Sequence, residues 1–313
     1  MPPVPETLYL LKYHDNSWPL VRLEMRARFG FEPPPGKRMY LLASAPQDIT
    51  HSACIEKAVE LIARAPDIAS LGALLLERLP RVEEAMVDMR SIGHEPSPST
   101  PDLYQLLPFI KGTFELKNPK IRFLLTRTSE EWLFGRIVSE ASKKWTVHSR
   151  KPKTFSSALE AQFARFCLNA LAPHGKELLD AGCGSGSVLV EAADMGFRAT
   201  GIDLQASAIG MARANLEHFG YIADLKIADV REWKHPTELA FVDFPYGYRC
   251  ARDRDGELAM ARALAAITTK AAIFICGEEM SDDIRSAGWD ILDAATMPFV
   301  NVTRHVLLAT PRH

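Results

Sequence analysis

Glu177-Leu178-Leu179-Asp180-Ala181-Gly182-Cys183-Gly184-Ser185-Gly186-Ser187 decides how the second half of this chain is read. An apolar run ends on an aspartate and passes straight into glycines at alternate positions. Glycine reaches backbone conformations that a Cβ forbids, so the chain can turn sharply here and let its amides approach a ligand before the helix that starts near Ser187. Taken alone, such a turn after a strand is a weak signal. The dinucleotide fingerprint G-x-G-x-x-G would need glycine where Ser187 stands, which argues against NAD or FAD.

Working outward, apolar strand-like runs at 177–180, 198–203, 224–228, 239–242 and 271–276 alternate with helical patterns at 187–195, 206–218 and 256–269. This alternation predicts a parallel, doubly wound, Rossmann-like α/β sheet. The last two runs, 289–296 and 303–309, leave no room for a helix between them and are expected to pair antiparallel at the sheet edge. Asp203 closes the second strand, where a carboxylate can accept from both ribose hydroxyls of a nucleoside. Asp229 closes the third and could orient an adenine amino group. Asp180 ends an apolar strand and must find donors there or suffer desolvation. With their neighbours Leu204 and Val230, these residues and Gly182, Cys183, Gly184 and Gly186 form the candidate cofactor site. The plainer reading is a set of strand-end carboxylates that cap turns.

The fourth strand runs into Asp243-Phe244-Pro245-Tyr246-Gly247. This stretch resembles the (N/D/S)-P-P-(Y/F/W) signature of methyltransferases that act on exocyclic or amide nitrogens. An amino nitrogen on a purine delocalises its lone pair into the ring and is a poor nucleophile. Two acceptors, the Asp243 side chain and the carbonyl of Phe244, can bond both N–H groups and draw that lone pair toward the methyl group, with Asp243 able to take the proton. Tyr246 can stack on a target base that has been flipped out of a structured RNA. Phe244 replaces the first proline of the signature. The carbonyl is kept and the fixed φ of proline is lost, so Phe244→Pro is expected to be tolerated. Asp243, Phe244, Pro245 and Tyr246 are the candidate catalytic residues.

Composition limits the alternatives. At 313 residues, 47% hydrophobic and 24% charged, the chain has the make-up of an ordinary globular protein with room for two domains. No apolar stretch approaches the ~20 residues of a membrane helix, and Met1-Pro2-Pro3-Val4-Pro5 lacks a signal-peptide pattern, so the expected location is the cytoplasm. Five scattered cysteines without a C-x-x-C pair argue against a structural metal or a disulfide framework. The net charge of -2 leaves nucleic-acid binding to a local patch.

The first half reads as a strand at 8–13, a helix from Pro19 to Gly30 and a strand at 39–43, an α/β module over 1–47. Helical patterns at 50–65 and 70–79, a strand at 85–90, an exposed loop at 94–101, a helix near 103–110 and strands at 121–126 and 132–138 follow. Between Lys111 and Lys153 lie Lys117, Lys120, Arg122, Arg127, Arg136, Lys143, Lys144, Arg150 and Lys151, against Glu115, Glu130, Glu131 and Glu140. Such a stretch can hold phosphates; it can equally be a solvated surface.

Taken together, the chain resembles the archaeal and eukaryotic tRNA guanine-10 N2-methyltransferases. Phe114-Glu115-Leu116-Lys117-Asn118-Pro119 and Trp132-Leu133-Phe134-Gly135 resemble the closing strands of their THUMP domain. Arg150-Lys151-Pro152 with Phe163-Ala164-Arg165 resembles a connecting segment in which Phe155-Ser156 replaces the usual His-Pro. Val302-Thr303-Arg304-His305-Val306 resembles a segment of the last hairpin. The resemblance implies an N-terminal module over 1–47, a THUMP-like RNA-binding domain over 48–147, and a methyltransferase domain over 150–313 that uses S-adenosylmethionine. It also implies tRNA as partner and, in some relatives, a small zinc-ribbon activator subunit; the basic stretch makes Lys143, Lys144, Arg150 and Lys151 the candidate RNA contacts, and the cysteine spacing leads us to expect no bound metal. Methylation of another guanosine, of adenine or of an amide, and a non-catalytic RNA-binding relative, stay open at this point.

Overall fold

The computed structural model describes residues 6–30, 34, 36, 38–42, 44–92, 95–155, 158–244, 253–299 and 302–312. In chain order the first elements are β1 (Thr7–Leu11), α1 (Trp18–Phe29), β2 (Met39–Leu42), β3 (Ile55–Ala65), α2 (Ile68–Arg78) and β4 (Val82–Met89). Then come α3 (Thr100–Leu106), β5 (Gly112–Phe114), β6 (Ile121–Arg127), β7 (Trp132–Glu140), α4 (Trp145–His148) and α5 (Ala161–Leu171). The next are β8 (Glu177–Ala181), α6 (Ser187–Asp194), β9 (Arg198–Asp203), α7 (Ala206–Phe219) and β10 (Asp224–Ile227). The last are β11 (Thr237–Asp243), α8 (Arg254–Ile267), β12 (Thr268–Cys276), α9 (Ser281–Ser286), β13 (Trp289–Phe299) and β14 (Val302–Pro311). They form two compact units, one from the chain up to Lys12 with Pro33–Ser142, the other from Tyr13–Glu32 with Lys143–His313.

The first unit is a seven-stranded sheet in the order β2-β1-β3-β7-β6-β4-β5. It is antiparallel apart from β4, which runs parallel to both β6 and β5. Strand residues alternate faces, and the burial follows. Phe123, Leu125 and Phe134 join Leu71 and Leu75 of α2 and Leu106 of α3 on one face, while Leu124, Leu133, Leu8 and Leu10 pack on the other. Phe123 and Phe134 stack with centroids 5.2 Å apart.

One expectation is overturned here. Residues 55–65, part of the helical pattern at 50–65, form strand β3, inserted between β1 and β7. Ile55, Ala58, Val59 and Ile62 fall at helical spacing, yet the register shifts between Ala58 and Val59 and again between Leu61 and Ala63. The first shift leaves Val138 of β7 unmatched, but the second leaves Ile62 of β3 unmatched, and a shift against β1 leaves Glu56 unmatched, so the two-residue alternation of β3 is reset and a bulged inner strand mimics a helical period. Of the stretch 114–119, which resembles a closing strand, only Phe114 lies in a strand, at the end of the short edge strand β5.

The second unit holds a sheet in the order β10-β9-β8-β11-β12-β14-β13. The strands β8 to β12 pair in parallel, and β14 and β13 close the edge antiparallel. Inner strands such as Leu239-Ala240-Phe241-Val242 and Ala271-Ala272-Ile273-Phe274-Ile275-Cys276 are apolar throughout because helices cover both faces. On one face Ala261 and Leu264 of α8 and Ile284 of α9 pack against Val242, Phe274 and Leu307. On the other lies α5, whose residues 163–171 are all buried.

Helix α1 also belongs to this unit, packing on α5 and β13 with Leu20, Val21, Leu23 and Met25 buried and with Arg26 paired to Asp293 at 3.2 Å. The stretch 1–47, expected as one module, is therefore shared: β1 and β2 enter the first sheet, and α1 covers the second. Neither α5 nor α9 was foreseen. Chain order reverses between β8 and β11, which opens a crevice at the carboxyl ends of the strands, where ligands bind in sheets of this kind.

Candidate active site

The loop after β8 lies at that crevice. Gly182, Gly184 and Gly186 have φ of 84°, 53° and 78°, in the left-handed region that a side chain disfavours. A Cβ at Gly182 or Gly184 would meet open space, so the backbone conformation, not crowding, demands glycine. At Gly186 it would also come within 3.0 Å of Ala212 in α7. The amides of Gly182 and Cys183 both donate to the carbonyl of Ile202, at 2.8 and 2.9 Å, tying the loop to β9. The Cys183 thiol is buried, which raises its pKa and leaves it a packing group.

Asp203 completes the cradle. One carboxylate oxygen accepts from the Gly184 amide at 3.0 Å and the other from Gln205 at 2.9 Å. The next residue, Leu204, is 65% exposed and offers an apolar surface beside that carboxylate. Asp229 is partly buried and grips Arg231 through the guanidinium and the backbone amide, which hold its pKa below the usual carboxylate range. An adenine contact at Asp229 would share those oxygens. Val230 is buried in the core beneath it.

Asp180 is 3% exposed, and its Oδ2 has no hydrogen-bond partner among the described residues. Burial raises its pKa well above the ordinary value, and the charges of Asp243 and Asp203 push it the same way. The ends of β8, β9 and β11 thus gather three carboxylates around one crevice, a field that draws a cation.

Asp243 is the last residue of β11. Phe244 follows, 1% exposed, its amide donating to Ile275 at 3.0 Å and its ring stacked on Phe274 at 6.0 Å. That ring lies in the core cluster of α8 and β12, so only its backbone carbonyl can serve the site. Pro245 and Tyr246 lie outside the described residues.

Among the candidate RNA contacts, Lys144 donates to the buried Asp194 at 2.9 Å, in a network with Arg165, Glu191, His148 and Tyr221. Lys143 has a φ of 52° at the start of the second unit, Arg150 is exposed, and Lys151 is half-buried with its pKa lowered by desolvation. Elsewhere in the basic stretch Lys120 pairs with Glu84, Arg136 with Glu60, and Arg122 with Asp88 and Glu140.

Residues 178–266 match the family model described as a methyltransferase domain. The second sheet carries a methyltransferase domain. Its cofactor is S-adenosylmethionine, and the residues present fit it: an open loop of left-handed glycines, a carboxylate beside it, and a buried Asp180 oxygen in need of a partner. The chain is 28% identical over 131 residues to the tRNA (guanine(10)-N2)-dimethyltransferase of Methanothermobacter thermautotrophicus, covering 40% of this chain and 37% of that protein. It is 31% identical over 146 residues to the tRNA (guanine(10)-N2)-dimethyltransferase of Pyrococcus abyssi, covering 44% of each. These matches span about two fifths of the curated relatives' length. The crystal structure of TrmN from Thermus thermophilus aligns over 98% of this chain and 99% of that one, at a TM-score of 0.49 and 17% identity. No described helix is long and apolar enough to cross a membrane.

Proposed function

We propose that this protein transfers a methyl group from S-adenosylmethionine to the exocyclic N2 of a guanosine in tRNA, at position 10. The observation that carries the reading is the placement of Asp243 at the end of β11, electrostatically coupled to Asp180 beside the glycine loop. An acceptor for the amino protons thus stands next to the donor's cradle. The two tRNA (guanine(10)-N2)-dimethyltransferases among its relatives support the choice of substrate.

The cofactor supplies a methyl group on a cationic sulfonium. Asp203 would hold the ribose hydroxyls, and Asp180, whose Oδ2 has no hydrogen-bond partner among the described residues, would receive the donor's ammonium group. Asp243 and the Phe244 carbonyl would accept from the two N–H groups of the target amine, and Asp243 would take up a proton as the nitrogen–methyl bond forms and the sulfur–methyl bond breaks, with the neutral thioether as leaving group. Tyr246, which lies outside the described residues, is the sequence's candidate for stacking on the flipped base. The first unit acts as a THUMP-like RNA-binding domain, with Lys143, Arg150 and Lys151 on the segment that leads into the second unit as phosphate contacts.

Mass spectrometry of tRNA nucleosides, from cells with and without this protein, tests the proposal. The expected result is loss of N2-methylated guanosine at position 10. Loss of a methyl group at another guanosine would move the site. Loss of a methylated adenosine instead would refute the N2 assignment.

A further inference from the structure

Arg304 is 6% exposed and sits on β14 at the end of the sheet where the crevice opens. The strand register fixes its position relative to Asp243. Asp243 pairs with Ile275 of β12, and Ile275 pairs with Val306 of β14. Residues two apart on a strand share a face, so Arg304 projects on the Asp243 side of the sheet, beyond the last residue of β12. Their neighbours agree: Val242, Phe244, Cys276 and Leu307, which alternate with these residues, lie in the core on the opposite face.

Helix α5 covers the face that Arg304 and Asp243 share. Its Phe163 and Cys167 lie one helical turn apart on the side toward these groups. The Arg304 guanidinium lies over the Phe163 ring, 5.3 Å from its centroid. The buried Cys167 thiol feels the Asp243 charge and the opposing Arg304 charge. Asp180 of β8 also faces Asp243, and Asp203 of β9 faces Asp180. His305, beside Arg304, faces Glu279 and bonds Thr296 of β13. Three carboxylates thus meet at this rim, and Arg304 is a buried cation on the Asp243 side.

We propose that Arg304 is a positioning residue for Asp243: held over the Phe163 ring, its guanidinium keeps the Asp243 side chain an oriented anion, ready to accept from the amine. This rests on the reading of Asp243 as that acceptor. A cation beside a carboxylate favours the ionised form by roughly one to three pH units. Replacing it with an apolar chain therefore makes Asp243 protonate at higher pH and lose its acceptor role there.

The test uses the full chain, S-adenosylmethionine and a tRNA transcript, with single-turnover methylation followed from pH 5 to 9. Arg304→Met is expected to bind the donor within about twofold of wild type, to react at least tenfold more slowly at neutral pH, and to show its acidic limb moved to higher pH. Arg304→Lys is expected to return that limb to its wild-type position with part of the rate. If Arg304→Met does not fold, Arg304→Gln takes its place with the same expectations. An unmoved limb, with Arg304→Lys as impaired as the uncharged variant, would mean that Arg304 only packs, and would overturn the proposal. Asp243→Asn separates the two readings. A wild-type rate there removes the role of Asp243 and the proposal with it; an impaired rate beside an unmoved limb in Arg304→Met removes the proposal alone.

Discussion

Phe244 stands where the resembling loops carry proline, and its surroundings reverse the expectation that Phe244→Pro would be tolerated. Its amide donates to Ile275 and its ring fills the core beside Phe274. Removing a buried phenylalanine side chain costs about 3–5 kcal/mol, and the lost hydrogen bond adds about 1 kcal/mol. Phe244→Pro should therefore unfold at clearly lower urea concentration than wild type; an unchanged midpoint would show that neither contact matters. Asp180 leads to a second expectation. Burial favours its protonated form, whereas a bound cation favours the ionised one. Donor binding should release a proton, affinity should rise with pH, and the calorimetric enthalpy should depend on the buffer's ionisation enthalpy. Asp180→Asn should abolish that dependence. A buffer-independent enthalpy in the wild type would place the donor's ammonium elsewhere. Both residues stood out in the sequence, but their partners did not, because Ile275 and Asp243 reach them only through strand pairing.

At the scale of elements, α1 changes how the chain should be divided. Its buried face of Leu20, Val21, Leu23 and Met25 packs within the second unit, where Arg22 and Arg26 pair with Asp293 of β13. A fragment of residues 150–313, which the sequence marks as a free-standing domain, would expose α5 and the outer side of β13. It should show a lower thermal midpoint than the full chain, and adding α1 as a separate peptide should raise it. Equal midpoints for fragment and full chain would contradict this packing. The elements around β8 were legible because continuous apolar strands, a glycine turn and helical periods agree with one another. Strand β3 was not, since its register shifts break the two-residue alternation. Helix α5 was missed for another reason: its polar stripe of Gln162, Arg165 and Asn169 is short, and Arg165 and Asn169 are buried against Glu191, Asp194 and Arg28 instead of facing solvent.

For the whole molecule, charge that looks available in the sequence is largely spent on folding. Lys120, Arg122, Arg136 and Lys144 have carboxylate partners within their own units. Lys111, Lys117, Arg150 and Lys153 are exposed and make no ion pair among the described residues. Lys117→Gln and Arg150→Gln should each weaken transcript binding and lower the salt slope by about one. Lys144→Gln should instead lower the melting temperature and leave that slope unchanged; the reverse pattern would mean that Lys144, and not Lys117 or Arg150, contacts the RNA. Above all, methyl transfer should be centred on the end of β11. Single-turnover methylation of a tRNA transcript by Asp243→Ala, at saturating S-adenosylmethionine, tests this most directly. Losing a preorganised polar contact of this kind costs about 10²-fold or more in rate, and that loss is expected with donor affinity retained. A wild-type rate in Asp243→Ala would contradict the account.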